Sequence, residues 1–338
     1  MFEQDYIELK PIKEDITYQD LINKKILQLF IKEIYSPLLS IINEKISTIK
    51  NNKISNLERA LLDNRVYYAE GQFFGKFNSY ISKELQDLGA KWNPKNNSYK
   101  LAESKVPITI RGVIALSKNK FDEKLREIDK KLEEMSPQNI SEKLDISKII
   151  DKNLSTIEKD FSKSVKNITV EPQLTDEQRE KIAVEWQNNL RLYFKKYVSE
   201  EQIPKLRQAV QDNVFSGIRR ENLIKSFQEN YGASYNKAKF WAHQETNLMM
   251  AKYKESKYVA AGIPEYKWTC VHMPHQKNPN AIYKPGEVRY SHGILEGKIF
   301  SWTDPPVTTA PDQPQRRNNP GQDYNCRCFA IPVLRLKK

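Results

Sequence analysis

Between Thr17 and Lys50 the residues Leu21, Ile22, Ile26, Leu29, Phe30, Ile34, Leu38, Ile41, Ile42 and Ile46 recur at steps of three and four. That spacing lays one apolar stripe along a helix. Thr17 with Asp20 reads as a capping box, and Pro37, which lacks an amide hydrogen and crowds the turn before it, predicts two helices rather than one. The rhythm changes at residue 66, where VYYAEGQFFGKF is aromatic and β-prone. A helical SYISKELQDL follows, closed by Gly89 as a C-cap. AKWN and SYKL then read as two short strands joined by a Pro94-Lys95-Asn96-Asn97 turn.

From Phe121 to Val170 Lys, Glu, Ile and Leu dominate, with no Gly and only Pro137, as in exposed helices of an extended connector. Residues 171–174 read as a linker. Thr175 with Gln178 forms a capping-box pattern ahead of EKIAVEWQNNLRLYFKKYV, and Ser199 with Gln202 repeats it. Gly217 predicts a break before ENLIKSFQENYG, and a further helix is expected from about Ser234 to Ala261, ended by Gly262 and Pro264. Beyond Gly262 the helical period disappears in a Pro-rich tail carrying all three Cys and three of the four His. The fold class is therefore read as α+β, mostly helical in its N-terminal and middle regions. The expected segments are N-terminal helices over 1–65, a small α+β module over 66–115, a helical connector over 116–174, and a C-terminal domain over 175–338. That last domain is helical over 175–262 and a loop-rich strand region over 263–338.

With 338 residues the chain is long enough for more than one core. Hydrophobic residues at 39% and charged residues at 29% fit solvated helices, and no apolar run reaches the roughly 18 residues of a membrane span. The acidic start, Met1-Phe2-Glu3-Gln4-Asp5, lacks the plan of a signal peptide, so the chain is expected to be made and kept inside a cell. A reducing compartment would keep the three Cys as thiols or metal ligands. The net charge of +12 favours anionic partners such as nucleic acid, although both signs are interleaved along most of the chain.

Several residues carry candidate chemistry. Trp92 either fills the core of its small module or, flanked by Lys91 and Lys95, meets phosphate and base. Cys270, His272, His275, Cys326 and Cys328 offer a ligand set for a structural zinc, with His292 in reserve, and such a site would staple a tail poor in apolar residues. Against this stand the one-residue spacing between Cys326 and Cys328 and the alternative of buried thiols, with Arg327 facing the other way. In a catalytic reading His292 is a general base and Arg289 holds an anion, as in a nuclease. The same two residues with Glu245 equally suit a buried charged network. His243, on an Ala-Phe-Trp helix, reads as a packing residue.

Four features occur in the order they show in one family. They are the Ala238–Thr246 helix with its Glu245-Thr246 pair, then Ala261-Gly262 followed by Trp268-Thr269, then Arg289-x-x-His292-x-x-x-x-Gly297, and last Asn325-Cys326-Arg327-Cys328. Over about 120 residues the chain thus resembles the Mu F-like minor head proteins of tailed phages, and GAKWNPKNNSYKL is similar to an accessory module of phage and plasmid proteins. The resemblance implies a non-enzymatic virion protein of the head, assembled in the host cytoplasm. Its implied partners are the portal protein or the major capsid protein and packaged double-stranded DNA, with no membrane. Glu245, Trp268, Arg289, His292, Gly297, Asn325, Cys326, Arg327 and Cys328 are its signature residues, and zinc is the one cofactor the donors invite. The Asp that the family places between the Trp-Thr strand and the Arg gives way here to HMPHQKNPNAIYKPGE, leaving Glu287 as a substitute. With ten residues after Cys328, no appended enzyme domain is expected.

Overall fold

A computed structural model describes residues 6–12, 16–43, 54–63, 65–166, 175–216, 220–271, 274–284 and 286–335. In chain order the first elements are β1 (Tyr6–Glu8), α1 (Ile16–Phe30), a π-helical turn (Ile31–Tyr35), α2 (Ser36–Asn43) and α3 (Asn56–Leu62). Next come β2 (Val66–Ala69), β3 (Gln72–Gly75), α4 (Ser79–Asp87), β4 (Lys91–Asn93), β5 (Ser98–Lys100) and a short 3-10 turn (Glu103–Lys105). The middle holds α5 (Ile108–Glu134), α6 (Pro137–Glu142), α7 (Ser147–Val165), α8 (Asp176–Tyr197), a second π-helical turn (Val198–Gln202) and α9 (Ile203–Ser216). Finally α10 (Arg220–Ala260) leads to β6 (Glu265–Thr269), α11 (Tyr290–Gly293), β7 (Ile299–Ser301) and β8 (Phe329–Arg335). The protein is α+β, largely helical with two four-stranded antiparallel sheets, and no described helix is long and apolar enough to cross a membrane.

Two compact units emerge, and both are discontinuous in sequence. One comprises Met1–Leu27, Ser141–Phe194 and Tyr235–Lys338, the other Gln28–Ile140 and Lys195–Ser234. These cut across the four consecutive segments read from the sequence.

The second unit contains the sheet of order β2-β3-β5-β4. Its first hairpin turns on Glu70 and Gly71, both at positive φ, the two-residue turn whose twist matches that of paired strands. Helix α3 opens on a capping box that the sequence reading missed, Ser55 with Glu58, and α4 is capped by Asn78. Leu57, Leu61, Val66, Phe73, Ile81, Leu85 and Tyr99 form the module's core. Trp92 does not fill it. The indole is 46% exposed and packs on Tyr99, with ring centroids 4.9 Å apart. Helix α5 is no bare connector, since Phe121, Leu125, Ile128 and Leu132 bury one stripe, α9 lies alongside, and Arg207 pairs with Asp129 at 2.8 Å.

Pro37 does not part the chain into two separate helices: α1 runs through the π-helical turn, which ends two residues before the proline, directly into α2. Pro204 stands at the same offset from the second π-helical turn. In both places the missing amide and the ring's clash with the preceding turn are accommodated by one widened turn instead of a break. Ser199 therefore caps nothing, and its hydroxyl donates to the Lys196 carbonyl. Thr175 and Gln178 do form their reciprocal cap, at 3.1 and 3.2 Å. Gly217 and the 171–174 linker lie outside the described residues. A fresh helix near Ser234 is not found, because α10 runs unbroken through Gly232, and the Ser234 hydroxyl donates inside the helix to Asn230. A mid-helix Gly costs about 1 kcal/mol, which burial of the helix's flanking Phe227 and Ala238 offsets.

The first unit contains the sheet of order β1-β8-β6-β7. Tyr266 and Trp268 of β6 are fully buried, with Trp302 beyond β7 stacked on Tyr258 of α10 at 5.6 Å. The alternation of buried and half-buried positions along β6 is that of a sheet covered on one face.

Candidate functional site

Strand register brings the distant Cys residues together. In the antiparallel β6–β8 pair Thr269 stands opposite Phe329, so the residues one step beyond, Cys270 and Cys328, leave the sheet side by side. Their sulfurs are 3.6 Å apart. The third thiol, Cys326, is on the same buried side as Cys328, while Arg327 between them points to solvent.

His292 reaches the cluster from α11. The chain leaving that short helix is docked on β6 by two backbone bonds, Gly297 N to Trp268 O at 2.9 Å and Trp268 N to Lys298 O at 2.8 Å. Gly297 takes φ +74, the left-handed conformation that favours Gly and that lets the chain turn back onto the strand. The His292 ring then meets the Trp268 indole edge-on, with centroids 5.5 Å apart. Its Nδ1 lies 3.5 Å from Cys326 Sγ and 3.6 Å from Cys328 Sγ, while Nε2 lies 3.1 Å from Asp323 Oδ2. Cys270 Sγ is 3.5 Å from the His292 carbonyl oxygen.

Asp323 is the residue sequence reasoning missed. It is buried just before Cys326; its Oδ2 accepts from His292 and from Arg289 at 3.2 Å, while its Oδ1 takes the Tyr324 amide at 2.8 Å and pairs with Arg316 at 3.3 Å. Its signal in the sequence was an Asp three residues ahead of Cys-Arg-Cys. The carboxylate expected ahead of Arg289 thus comes from the opposite end of the tail. Glu287 does not substitute, since it accepts from Gln276 and from the Lys284 amide instead. Arg289 also donates to the Tyr324 carbonyl and lies over the Tyr283 ring, so its edge and one face are engaged.

The electrostatics follow from burial and these contacts. Burial disfavours a charged imidazole, but the hydrogen bonds to Asp323 and Cys326 outweigh it, and the His292 pKa rises to about 9. Asp323 is held below the usual carboxylate range because its His292, Tyr324 and arginine partners outweigh its own burial. The hydrogen bond from Cys328 holds the Cys326 thiol well below its ordinary value, with His292 adding to the effect against burial. Cys328 is pushed up by its contacts with Cys270 and Cys326 and by burial, all of which disfavour a thiolate there. Three sulfurs and one imidazole nitrogen, all buried, can hold a soft cation or carry an imidazolium–thiolate pair. A cleft of about 420 Å³ lined by Tyr283, Val288, Arg289, His292, Asn325 and Cys326 opens beside them.

The other sequence-derived candidates are placed as follows. His272 lies outside the described residues. His275 is exposed on the outer side of Cys270, where the two and Glu296 have ligand atoms within 4.8 Å of one another. Glu245 is buried on α10, where Asn189 donates to it, and does not touch the Arg289–Asp323–His292 network. Asn325, at φ +52, donates its amide to Gln244 at 2.7 Å and so ties the Cys-Arg-Cys turn to α10. His243 is engaged through both ring nitrogens, by Gln19 and by Asn247.

Residues 204–331 match the family described as "Phage Mu protein F like protein". An "Uncharacterized protein" of Haemophilus influenzae is 25% identical over 139 residues, a match spanning 41% of this chain and 27% of that one. The similarity therefore covers only about a quarter of that relative's length. No solved structure matches the chain.

Proposed function

We propose that the chain is a head morphogenesis protein of a tailed bacteriophage, a minor capsid component that acts by binding rather than by turnover. The observation that carries this reading is the match of residues 204–331 to the Phage Mu protein F like family. It is supported by the way the signature residues are used. Trp268, Arg289, His292, Gly297, Cys326 and Cys328 fix one another through backbone bonds, ring contact and the shared Asp323, as a rigid platform requires. In this reading the platform docks against the portal protein or the inner capsid surface. The surplus of 55 Lys and Arg over 43 Asp and Glu suits nearby packaged DNA.

The test is to tag the chain in the phage genome that encodes it, purify heads on a gradient, and cross-link. Recovery in heads, with cross-links to portal or capsid protein, is the expected result. Absence of the chain from both proheads and mature heads would overturn the reading.

A further inference from the structure

The geometry points to a structural zinc site in which Cys270, His292, Cys326 and Cys328 are the ligands and Asp323 orients the histidine. It stands on the geometry of this cluster and is independent of the role in head assembly.

The first argument is distance. Zinc at about 2.3 Å from sulfur and about 2.0–2.1 Å from nitrogen, with tetrahedral angles, separates two sulfurs by about 3.8 Å and a sulfur from a nitrogen by about 3.6 Å. The separations here are 3.6 Å between Cys270 and Cys328, 3.5 Å from Cys326 to His292 Nδ1, and 3.6 Å from Cys328 to the same nitrogen. The ligand atoms of His292, Cys326 and Cys328 all lie within 4.8 Å of one another; Cys270 stands outside that trio, borders it at Cys328, and completes the set by a shift of its side chain when the metal binds.

The second argument is the donor set. One imidazole nitrogen faces two thiols, with a third thiol behind them. A Cys-His-Asp nucleophile needs one sulfur and access for its substrate, whereas these three are each no more than 5% exposed. Three buried sulfurs and one nitrogen form a closed set with no position left for water, the arrangement of structural zinc sites.

The third argument is the partner on the far side of the ring. His292 Nε2 meets the Asp323 carboxylate at 3.1 Å, which fixes the tautomer that leaves Nδ1 free to bind metal. Arg289 and Arg316 hold that carboxylate in place and offset the net negative charge of three thiolates around a dication. On binding, the sulfurs coordinate as thiolates and the imidazole as its neutral form, and the displaced protons pass to solvent. The site joins the end of β6, α11 and the start of β8, holding together a tail in which α11 and β7 are the only described elements between those two strands.

The test is metal analysis of the full-length chain purified without chelators, alongside His275→Ala, Asp323→Asn and Cys328→Ser. The expected result is one zinc per chain in the wild type and in His275→Ala, and loss of stoichiometric zinc in Cys328→Ser. Asp323→Asn should keep the metal but bind it 10- to 100-fold more weakly in a chelator competition. Because Cys328→Ser could fail to fold, the wild type is also exchanged with cobalt. Thiolate-to-cobalt charge-transfer bands with intense tetrahedral d–d bands support the assignment. A folded wild type that carries no zinc, shows no such bands and melts identically with and without chelator overturns it. Loss of zinc in His275→Ala would overturn the ligand set.

Discussion

The Tyr35 hydroxyl donates to the Gln202 side-chain carbonyl at 2.7 Å, linking the last residues of the two π-helical turns. Gln202 in turn donates to Tyr197 at 2.7 Å, and Ser234 lies 3.3 Å from Tyr197 and 3.0 Å from Tyr35, so four buried side chains close a ring. Each widened turn sits ahead of a proline, and each delivers a polar group into the same pocket. Tyr35→Phe leaves the Gln202 carbonyl buried without its donor, at a cost of about 1–3 kcal/mol. Urea unfolding of wild type and variant measures it, and an unchanged midpoint would remove the ring from the account of stability.

Gly75 sits at φ +122, where a Cβ would lie 2.1 Å from the Arg65 carbonyl oxygen. Backbone rather than a flexible side chain is in the way, so the strand end must move. Gly75→Ala should destabilise the small module by at least the roughly 1–3 kcal/mol of a strained backbone position. Hydrogen exchange should rise first at β2 and β3, and equal protection in the two proteins would refute the prediction.

Burial raises the Glu245 pKa, Asn189 and Tyr193 partly offset it, and Glu185 adds repulsion. A carboxyl whose pKa is higher folded than unfolded favours folding while both states are protonated, and that contribution is lost as pH rises through the folded pKa. Glu245→Gln has no such dependence. The variant should therefore gain stability relative to wild type as pH climbs from the ordinary carboxylate range toward neutrality. Denaturation curves across that range check this, and a stability difference that is flat with pH would count against it.

Contact with packaged DNA, if it follows the basic balance, must be electrostatic. Binding of the purified chain to non-specific duplex should weaken steeply between about 50 and 200 mM salt, because neutralised phosphates release counterions. Fluorescence anisotropy at several salt concentrations reads the slope. A slope near zero would confine the chain's contacts to protein.

Much of the local structure was legible in the sequence because it depends on neighbours a few residues apart. The Thr175–Gln178 cap, the Gly89 turn and the strands around Trp92 are fixed by period and by backbone chemistry. What failed was the strength of local stop signals. Ser199 and Gly232 look like boundaries in isolation, yet α8 leads through a π-helical turn into α9, and α10 continues past Gly232, because the apolar faces on either side are buried.

For the candidate site, the chemical inventory can be read along the chain: three thiols, an Arg-x-x-His and a closing Cys-Arg-Cys in a tail without helical period. Which of these groups meet is set by the fold. It set Cys270 beside Cys328 through the register of β6 and β8, brought in His292, and supplied Asp323 where a residue nearer Arg289 had been expected. The physical reason is that a pattern in sequence reports which face of its own element a side chain occupies, whereas strand pairing and loop closure decide which faces meet.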